Sequence, residues 1–353
     1  MAADGGSGTG ISGSPGQPTV DPDWLAARTS ADTSARAATL SSLLPELIDY
    51  LSGTRGRHGV LKIIDLGAGT GANQRWLAPR LPFPQRWIHL DHDPVISRTL
   101  PLPNDTMIID AGVETLGRLL ASHSTDQHLV TCSALLDVLT MDQLDAVCRA
   151  VIDNQVPAFL SLTVTGTLSL TPVNSHDQLL QNAFNDHQKR AGRPGPHAAT
   201  FAVDALCAGG FTVRTQETTW QLTASSDAAL VYQLLQERLE AAVAHDPTLA
   251  AVASAWFELR RSQLTSGTLL IKVGHLDILA LPGGSPLAES LPSRREVEHG
   301  ADVAAQAEPA YRSGQSIREQ IGAREPYAGN AVPNQDRSSR QVELVEQARG
   351  QEV

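Results

Sequence analysis

The segment from Leu61 to Leu81 constrains the fold of this chain more than any other. It reads LKIIDLGAGTGANQRWLAPRL, in which a short apolar run ends at Asp65, three glycines follow at alternate positions, and a helix-like run comes next. Glycine adopts positive φ angles and lets the backbone approach a ligand closely, while the first N–H groups of a helix have no partner within the helix. The segment therefore predicts a buried parallel strand, a ligand-binding turn and a helix.

The glycine spacing alone leaves two classes of ligand open. Gly67, Gly69 and Ala72 satisfy the dinucleotide pattern G-x-G-x-x-G/A as well as Gly67, Gly69 and Gly71 satisfy G-x-G-x-G. Asp65 favours the second pattern, because a carboxylate so close to the turn repels a pyrophosphate but suits a ligand that carries an ammonium and a sulfonium. Such a ligand is S-adenosyl-L-methionine (S-adenosylmethionine).

Further apolar runs end in residues that could meet this ligand, because the carboxyl ends of parallel strands face the ligand crevice. Asp91 ends the second predicted strand, where it could hold a ribose diol, with a helix cap as the alternative. Asp110 and Ala111 end the third strand, where a carboxylate could meet an adenine amino group or simply form a turn. Ser133 ends the fourth strand, and Asp137 follows it as a site candidate or a surface residue.

A polar segment follows the fifth predicted strand, which spans 158–164. The segment 176–188 reads HDQLLQNAFNDHQ and crowds amide, imidazole and carboxylate groups around a few apolar positions. A polar helix face is usually solvated, but this one comes directly after a strand end, beside the expected crevice. Contact of Asn185, His187 and Gln188 with a substrate and simple solvation are therefore both open.

The remaining chain predicts two more strands and a pair of helices between them. Residues 211–222 alternate as a strand, apolar stripes at helical spacing cover 226–266, and a last strand spans 269–281. The expected fold is α/β, a doubly wound seven-stranded sheet with a helical insertion before the last strand, which packs on the sheet edge or covers the site. His275 and Asp277 are expected to be polar residues of an edge strand.

Composition limits the function classes. The formal net charge of −11 argues against a nucleic-acid substrate, whose phosphates demand a basic surface. Three cysteines without close spacing indicate neither a disulfide framework nor a zinc site. The N-terminus lacks a signal-peptide pattern, and no run of apolar residues is long enough to span a membrane. We expect a cytoplasmic protein with no metal and no membrane contact.

The domain limits follow from composition along the chain. Residues 1–22 are rich in Gly, Ser, Thr and Pro and predict a disordered leader, whereas 23–281 contains the periodic apolar segments of one domain. From 282 to 353 the chain turns polar and predicts a largely disordered tail. No sequence motif in the tail indicates a binding partner.

The chain resembles the class I S-adenosylmethionine-dependent methyltransferases over roughly residues 23–281. The resemblance rests on the segments IIDLGAGTG, WIHLDHDP, MIIDAG and TCSALLD. A closer resemblance is to a set of bacterial members that share RWLAPRL, SALLD, AFNDHQ, GP-x-A and an early segment with Trp24, Leu25, Arg28, Asp32 and Arg36. The family resemblance implies a Rossmann-like methyltransferase fold. The implied site residues are Asp65, Gly67, Gly69 and Gly71 around the methionine part, Asp91 at the ribose and Asp110 at the adenine.

The segment SALLD stands where amino-directed nucleic-acid methyltransferases of this class often carry an Asn/Asp-Pro-Pro-aromatic motif. We therefore expect a small-molecule methyl acceptor. The expected acceptor contacts are Trp24, Arg28, Asn185, Gln188 and Arg193. Alignment supplies most of the catalysis of an in-line methyl transfer, and His187 or Asp137 is the expected general base where the acceptor must lose a proton.

Two rival functions share the same turn. One is an NAD(P)-dependent oxidoreductase, which would use the glycines for a dinucleotide. The other is a catalytically silent cofactor-binding or scaffold protein that keeps the fold.

Overall fold

The computed structural model describes residues 22–54, 59–92, 106–122 and 127–283. Within these ranges the strands form one sheet with the order β3-β2-β1-β4-β5-β8-β6, and β7 pairs with β8 beside β6. The strands are β1 Leu61–Leu66, β2 Gln85–Asp91, β3 Thr106–Asp110, β4 His128–Ser133, β5 Ala158–Thr171, β6 Thr212–Glu217, β7 Trp220–Thr223 and β8 Leu270–Leu281. Strands β1 to β5 are parallel, whereas β8 runs antiparallel to β5, β6 and β7. This is the doubly wound Rossmann-like methyltransferase fold expected from the sequence.

The prediction of one strand over 211–222 is wrong, because the structure divides this segment into β6 and β7. At the break, the backbone N–H of Thr218 donates to the carbonyl of His275 (2.9 Å), and the Thr218 hydroxyl donates to Asp277 (3.1 Å). This buried polar contact changes the pairing of the strand with β8. The sheet therefore has eight described strands where seven were expected.

Helices flank the sheet on both faces. They are α1 Pro22–Ala27, α2 Thr29–Ala35, α3 Ala37–Ser41, α4 Leu43–Thr54, α5 Ala72–Leu77, α6 Leu116–Ala121, α7 Met141–Asp153, α8 Asp177–Gln188, α9 Ala198–Ala208, α10 Ala224–His245 and α11 Ala250–Thr265. The last two form the helical insertion before the last strand. None of the helices in the described ranges combines the length and the hydrophobicity that a membrane span requires. The leader predicted at 1–22 and the tail predicted at 282–353 lie outside the described residues, apart from their boundary positions.

Apolar residues are buried on both faces of the parallel strands. Ile64 of β1 packs in a cluster with α6, α7 and α9, whereas its neighbour Ile63 packs in a second cluster with α4 and α5. Successive side chains of a strand point to opposite faces, so a strand covered on both sides is apolar throughout. This explains why the adjacent residues Ile63 and Ile64 of β1 are both apolar and buried.

A third apolar cluster lies beyond the parallel part of the sheet. Strand β5 continues past the end of its pairing with β4, and its distal half pairs with the first half of β8, which also pairs with β7. This antiparallel extension packs against α8, α10 and α11 through residues such as Leu180, Trp220, Leu235 and Trp256. The extension therefore projects from the carboxyl edge of the parallel strands, where ligands bind in open α/β sheets.

Candidate functional site

A cavity of about 430 Å³ opens at the carboxyl ends of the parallel strands. Its walls come from the glycine turn, the ends of β2 and β4, the helices α1, α8 and α10, and strand β8. The structure brings most of the predicted site residues together on these walls. They are Trp24, Arg28, Gly67, Gly69, Asp91, Ala111, Ser133, Asp137, Asn185, Gln188 and Arg193.

The glycine turn has the backbone geometry that its sequence predicts. Gly67, Gly69 and Gly71 have φ angles of 57°, 51° and 77°, in the left-handed region. A Cβ at Gly67 would come within 2.7 Å of Leu135 Cδ1. The N–H of Gly69 donates to Asp91 Oδ2 (2.7 Å), so the predicted ribose residue also fixes the turn. Gly67 and Gly69 line the cavity, whereas Gly71 precedes α5 and is not on its wall.

Asp65 is placed differently from the sequence prediction. Its side chain is fully buried and does not line the cavity, and its Oδ1 accepts a hydrogen bond from Asn73 Nδ2 (2.7 Å). Burial raises the pKa of Asp65 to about 7, against the opposing effects of the Asn73 hydrogen bond and the charge of Arg36. Asp65 therefore supports the cavity wall from behind, because Asn73 is itself a lining residue.

Arg36 connects the N-terminal helices to this support. Its Nη2 donates to Asn73 Oδ1 (2.8 Å) and to the hydroxyl of Ser161, and its guanidinium lies 4.0 Å from the centroid of the Trp76 ring. The early sequence segment contains Arg36, but its partners lie far away in the chain. Sequence reasoning could not assign it this contact.

Two other predicted site residues are not shown at the cavity. His187 is absent from the wall, and its ring Nδ1 contacts Arg190. A helix turns about 100° per residue, so His187 lies about 200° around α8 from Asn185, which faces the cavity. The geometry therefore speaks against the expectation that His187 is a general base. The Asp110 side chain lies outside the described part of the structure.

Asp137 lies in a 3-10 turn, Leu136–Val138, shortly after the end of β4. It lines the cavity, and its Oδ1 is buried without a hydrogen-bond partner among the described residues. Burial raises the pKa of Asp137 above its ordinary value, while hydrogen bonds to backbone N–H groups and the charges of Arg28 and Arg193 act in the opposite direction. Asp137 therefore presents a carboxyl group that can exchange a proton with a ligand in the cavity.

Aromatic and charged side chains form another part of the cavity wall. Trp24 and Trp220 meet edge to face with centroids 6.5 Å apart. Arg28 lies 5.1 Å from the centroid of the Trp220 ring and pairs with Asp32 (Nε to Oδ2 2.9 Å), and Trp220 Nε1 donates to Asp32 Oδ1 (3.0 Å). Sequence reasoning missed Trp220, because a tryptophan in a short strand carries no local signal of a binding role.

The expectation that His275 and Asp277 are polar residues of an edge strand is wrong. Strand β8 lies between β5 and β6, and both side chains are buried. His275 lines the cavity beside Trp220, with ring centroids 4.9 Å apart. Asp277 accepts hydrogen bonds from Leu162 N (2.7 Å) and from two threonine hydroxyls. The buried Asp277 carboxylate is tolerated because the surrounding chain supplies these donors, whereas Nδ1 of His275 is buried without a hydrogen-bond partner among the described residues.

We expect the buried His275 to make the protein less stable in acid. Burial lowers the pKa of His275 from 6.5 to about 4. Between these pH values the unfolded chain binds more protons than the folded chain, so the free energy of unfolding falls as the pH falls through this window. Replacing His275 with leucine should remove roughly 2 kcal/mol of the stability loss between pH 7 and pH 4.5, as measured by urea denaturation.

The exposed His197 provides the matched control for this prediction. His197→Leu controls for the replacement of an imidazole by an apolar side chain, and its urea denaturation is measured at the same pH values. Buried His89 has its pKa lowered to about 4 as well, so part of the dependence should persist in the His275 variant. Equal pH dependence in the wild type and His275→Leu would contradict the assignment.

No family model and no curated protein sequence matches this chain. Among solved structures, it is similar to a cyclopropane synthase from Mycobacterium tuberculosis, with 14% identity, a TM-score of 0.36, and coverage of 74% of this chain and 94% of that chain. It is also similar to the YcgJ protein from Bacillus subtilis, with 12% identity, a TM-score of 0.38, and coverage of 68% and 98%. For phosphoethanolamine N-methyltransferase 2 from Haemonchus contortus, in complex with phosphomonomethylethanolamine and S-adenosylhomocysteine, the identity is 7%, the TM-score 0.32 and the coverage 75% and 61%.

The fold assignment rests on this chain's own strand order and on the glycine turn at the end of β1. Together they define a doubly wound Rossmann-like fold with a glycine turn after β1 and a ligand cavity at the carboxyl edge of the sheet.

Proposed function

We propose that this chain is an S-adenosylmethionine-dependent methyltransferase that acts on a small molecule by in-line methyl transfer. The observation that carries the proposal is a single cavity with two different halves. One half is the glycine turn with Asp91, and the other is the aromatic and charged wall around Trp24 and Trp220. Such a cavity suits a cofactor and a methyl acceptor bound side by side.

The residues of the first half fit the cofactor chemically. Gly67 and Gly69 leave backbone without Cβ atoms on the wall, Asp91 offers a carboxylate for hydroxyl groups, and the wall beyond Asp91 includes Ala111 and Val113. A ribose diol and an adenine ring require these kinds of contact. When bound, S-adenosylmethionine would supply a methyl group on a sulfonium, with the neutral thioether S-adenosylhomocysteine as the leaving group. We expect Asp65 to support the cofactor half indirectly, because it accepts a hydrogen bond from the lining residue Asn73.

The protein's contributions to catalysis are alignment of the acceptor with the cofactor and a group that can accept the acceptor's proton. Trp24, Trp220 and Phe184 line the acceptor half and limit the space for water. Where the acceptor atom is a hydroxyl or a protonated amine, a carboxylate oxygen of Asp137 would accept its proton and so free a lone pair on the acceptor atom for methylation. A neutral acceptor with a free lone pair requires no base.

The direction of β8 favours this function over an NAD(P)-dependent oxidoreductase. The classic dinucleotide sheet continues with a parallel sixth strand beside β5. Here β8 occupies that place and runs antiparallel to β5.

Calorimetry with purified protein tests the proposal. We expect saturable binding of S-adenosylmethionine and S-adenosylhomocysteine, and no binding of NADH or NADPH. Incubation with a broad panel of small metabolites should then produce S-adenosylhomocysteine. Binding of NADH without S-adenosylmethionine would overturn the proposal, and a tight cofactor complex without turnover would favour the silent scaffold.

A further inference from the structure

Arg238 is a buried arginine on the wall of the cavity. It lies in α10 with 6% of its surface exposed. Its Nη1 donates to Gln181 Oε1 (2.8 Å), and its guanidinium lies 4.2 Å from the centroid of the Phe184 ring. Its Nε is buried and has no hydrogen-bond partner among the described residues. The side chain is therefore held in place by neutral groups, with donor capacity left over.

The other buried arginine of the helical insertion, Arg260, has the carboxylate partner that Arg238 lacks among the described residues. Arg260 of α11 is fully buried and pairs with Asp177 (Nη2 to Oδ1 2.5 Å), and its Nη1 donates to the carbonyl of Pro172 (2.6 Å). In the described part of the chain, Arg238 forms no ion pair with a carboxylate. Among the described residues, these two arginines of similar burial thus differ in that Arg260 has a carboxylate counterion and Arg238 has none.

Burial of a guanidinium without a counterion is unfavourable unless another group supplies the negative charge. Burial lowers the pKa of Arg238 to about 10, and the adjacent Glu237 opposes this shift, so Arg238 stays charged near neutral pH. Glu237 Oε1 accepts a hydrogen bond from Gln233 Nε2 (3.0 Å) one turn earlier in α10. The cavity beside Arg238 is where an external anion can reach the guanidinium.

We propose that Arg238 forms an anion subsite that binds a carboxylate or phosphate group of the methyl acceptor. This rests on the function proposed above for the same cavity. Planar guanidinium groups bind both kinds of oxyanion through two parallel hydrogen bonds. The rings of Phe184, Trp24 and Trp220 line the same cavity and favour an acceptor whose body is apolar or aromatic. The acceptor class is therefore a small aromatic or apolar molecule that carries an anionic group.

Three probes of similar size test the subsite by calorimetry. They are benzoate, phenyl phosphate and the neutral benzamide. Each is titrated into the full chain with and without saturating S-adenosylhomocysteine. We expect at least one anion to bind the wild type at least ~10-fold more tightly than benzamide, as a charge-assisted hydrogen bond requires. The two anionic arms distinguish a carboxylate from a phosphate acceptor.

Substitutions assign the preference to Arg238. Arg238→Met should remove the preference for the anion, and Arg238→Lys should keep part of it, because the charge remains while the planar donor pair is lost. The exposed Arg261 of α11 is the matched control, and Arg261→Met should bind the probes like the wild type. Thermal unfolding of each variant shows whether it is folded. If Arg238→Met is not folded, the anion preference of Arg238→Lys and of the wild type tests the subsite.

Each outcome bears on one proposal. Equal affinity for benzamide and both anions in the wild type, absence of anion binding, or an anion preference that persists in folded Arg238→Met would overturn the subsite. Failure to bind S-adenosylhomocysteine would instead count against the proposed function. Because the titrations without S-adenosylhomocysteine are read separately, the two failures are distinguishable.

Discussion

Replacing Gly69 with arginine is expected to abolish binding of S-adenosylmethionine, measured by calorimetry, while the domain stays folded. Gly69 lines the cavity and has a φ of 51°, and its N–H is held by Asp91 Oδ2. An L-residue in this conformation costs about 1 to 2 kcal/mol, and the long side chain would occupy the ligand's space. The cost in stability is small against a typical free energy of unfolding of roughly 5 to 15 kcal/mol. We therefore expect the affinity of Gly69→Arg for S-adenosylmethionine to fall below the range that calorimetry can detect.

Gly267→Arg is the matched control. Gly267 has a φ of 72° and lies in the turn before β8, away from the cavity wall, and a Cβ added at this position would have no atoms within 4 Å. It therefore carries the same backbone strain without entering the site. The control should lose similar stability in thermal unfolding and bind S-adenosylmethionine like the wild type. Unchanged affinity in folded Gly69→Arg would remove the glycine turn from the binding site.

The parallel half of the fold was predictable because its signals are local. Strand β1 is buried on both faces and reads as an apolar run, and Gly67 and Gly69 have the positive φ angles that their spacing suggested. The antiparallel extension was less predictable. The break between β6 and β7 depends on Thr218, whose partners His275 and Asp277 lie far along the chain.

The same limit applies to the candidate site. Residues at strand ends, such as Asp91 and Ser133, could be assigned to the crevice because topology alone brings strand ends together. Arg238 could not, because its position depends on how α10 packs against α8. His187 illustrates a second limit, since a polar helix segment does not reveal which of its residues face the cavity.

Asp277→Ala is expected to lower the free energy of unfolding by about 3 to 5 kcal/mol, because several buried donors would lose their acceptor. The Asp277 carboxylate accepts from Leu162 N (2.7 Å), Thr39 Oγ1 (2.7 Å) and Thr218 Oγ1 (3.1 Å). Leu162 has a φ of 55° and lies where the pairing of β5 with β8 shifts its register. The carboxylate thus replaces the strand partner that Leu162 lacks at this bulge.

Urea denaturation of three variants tests this role. Asp277→Asn keeps an acceptor for Leu162 N and should lose less stability than Asp277→Ala, and the exposed Asp204→Ala should lose almost none. Because Val164 follows the bulge and lines the cavity, Asp277→Ala should also weaken acceptor binding more than binding at the glycine turn. A loss in Asp277→Ala no larger than in Asp204→Ala would show that the bulge is held without the carboxylate. In that case the irregularity of β5 would be a property of the strand itself, and the buried Asp277 would need another explanation.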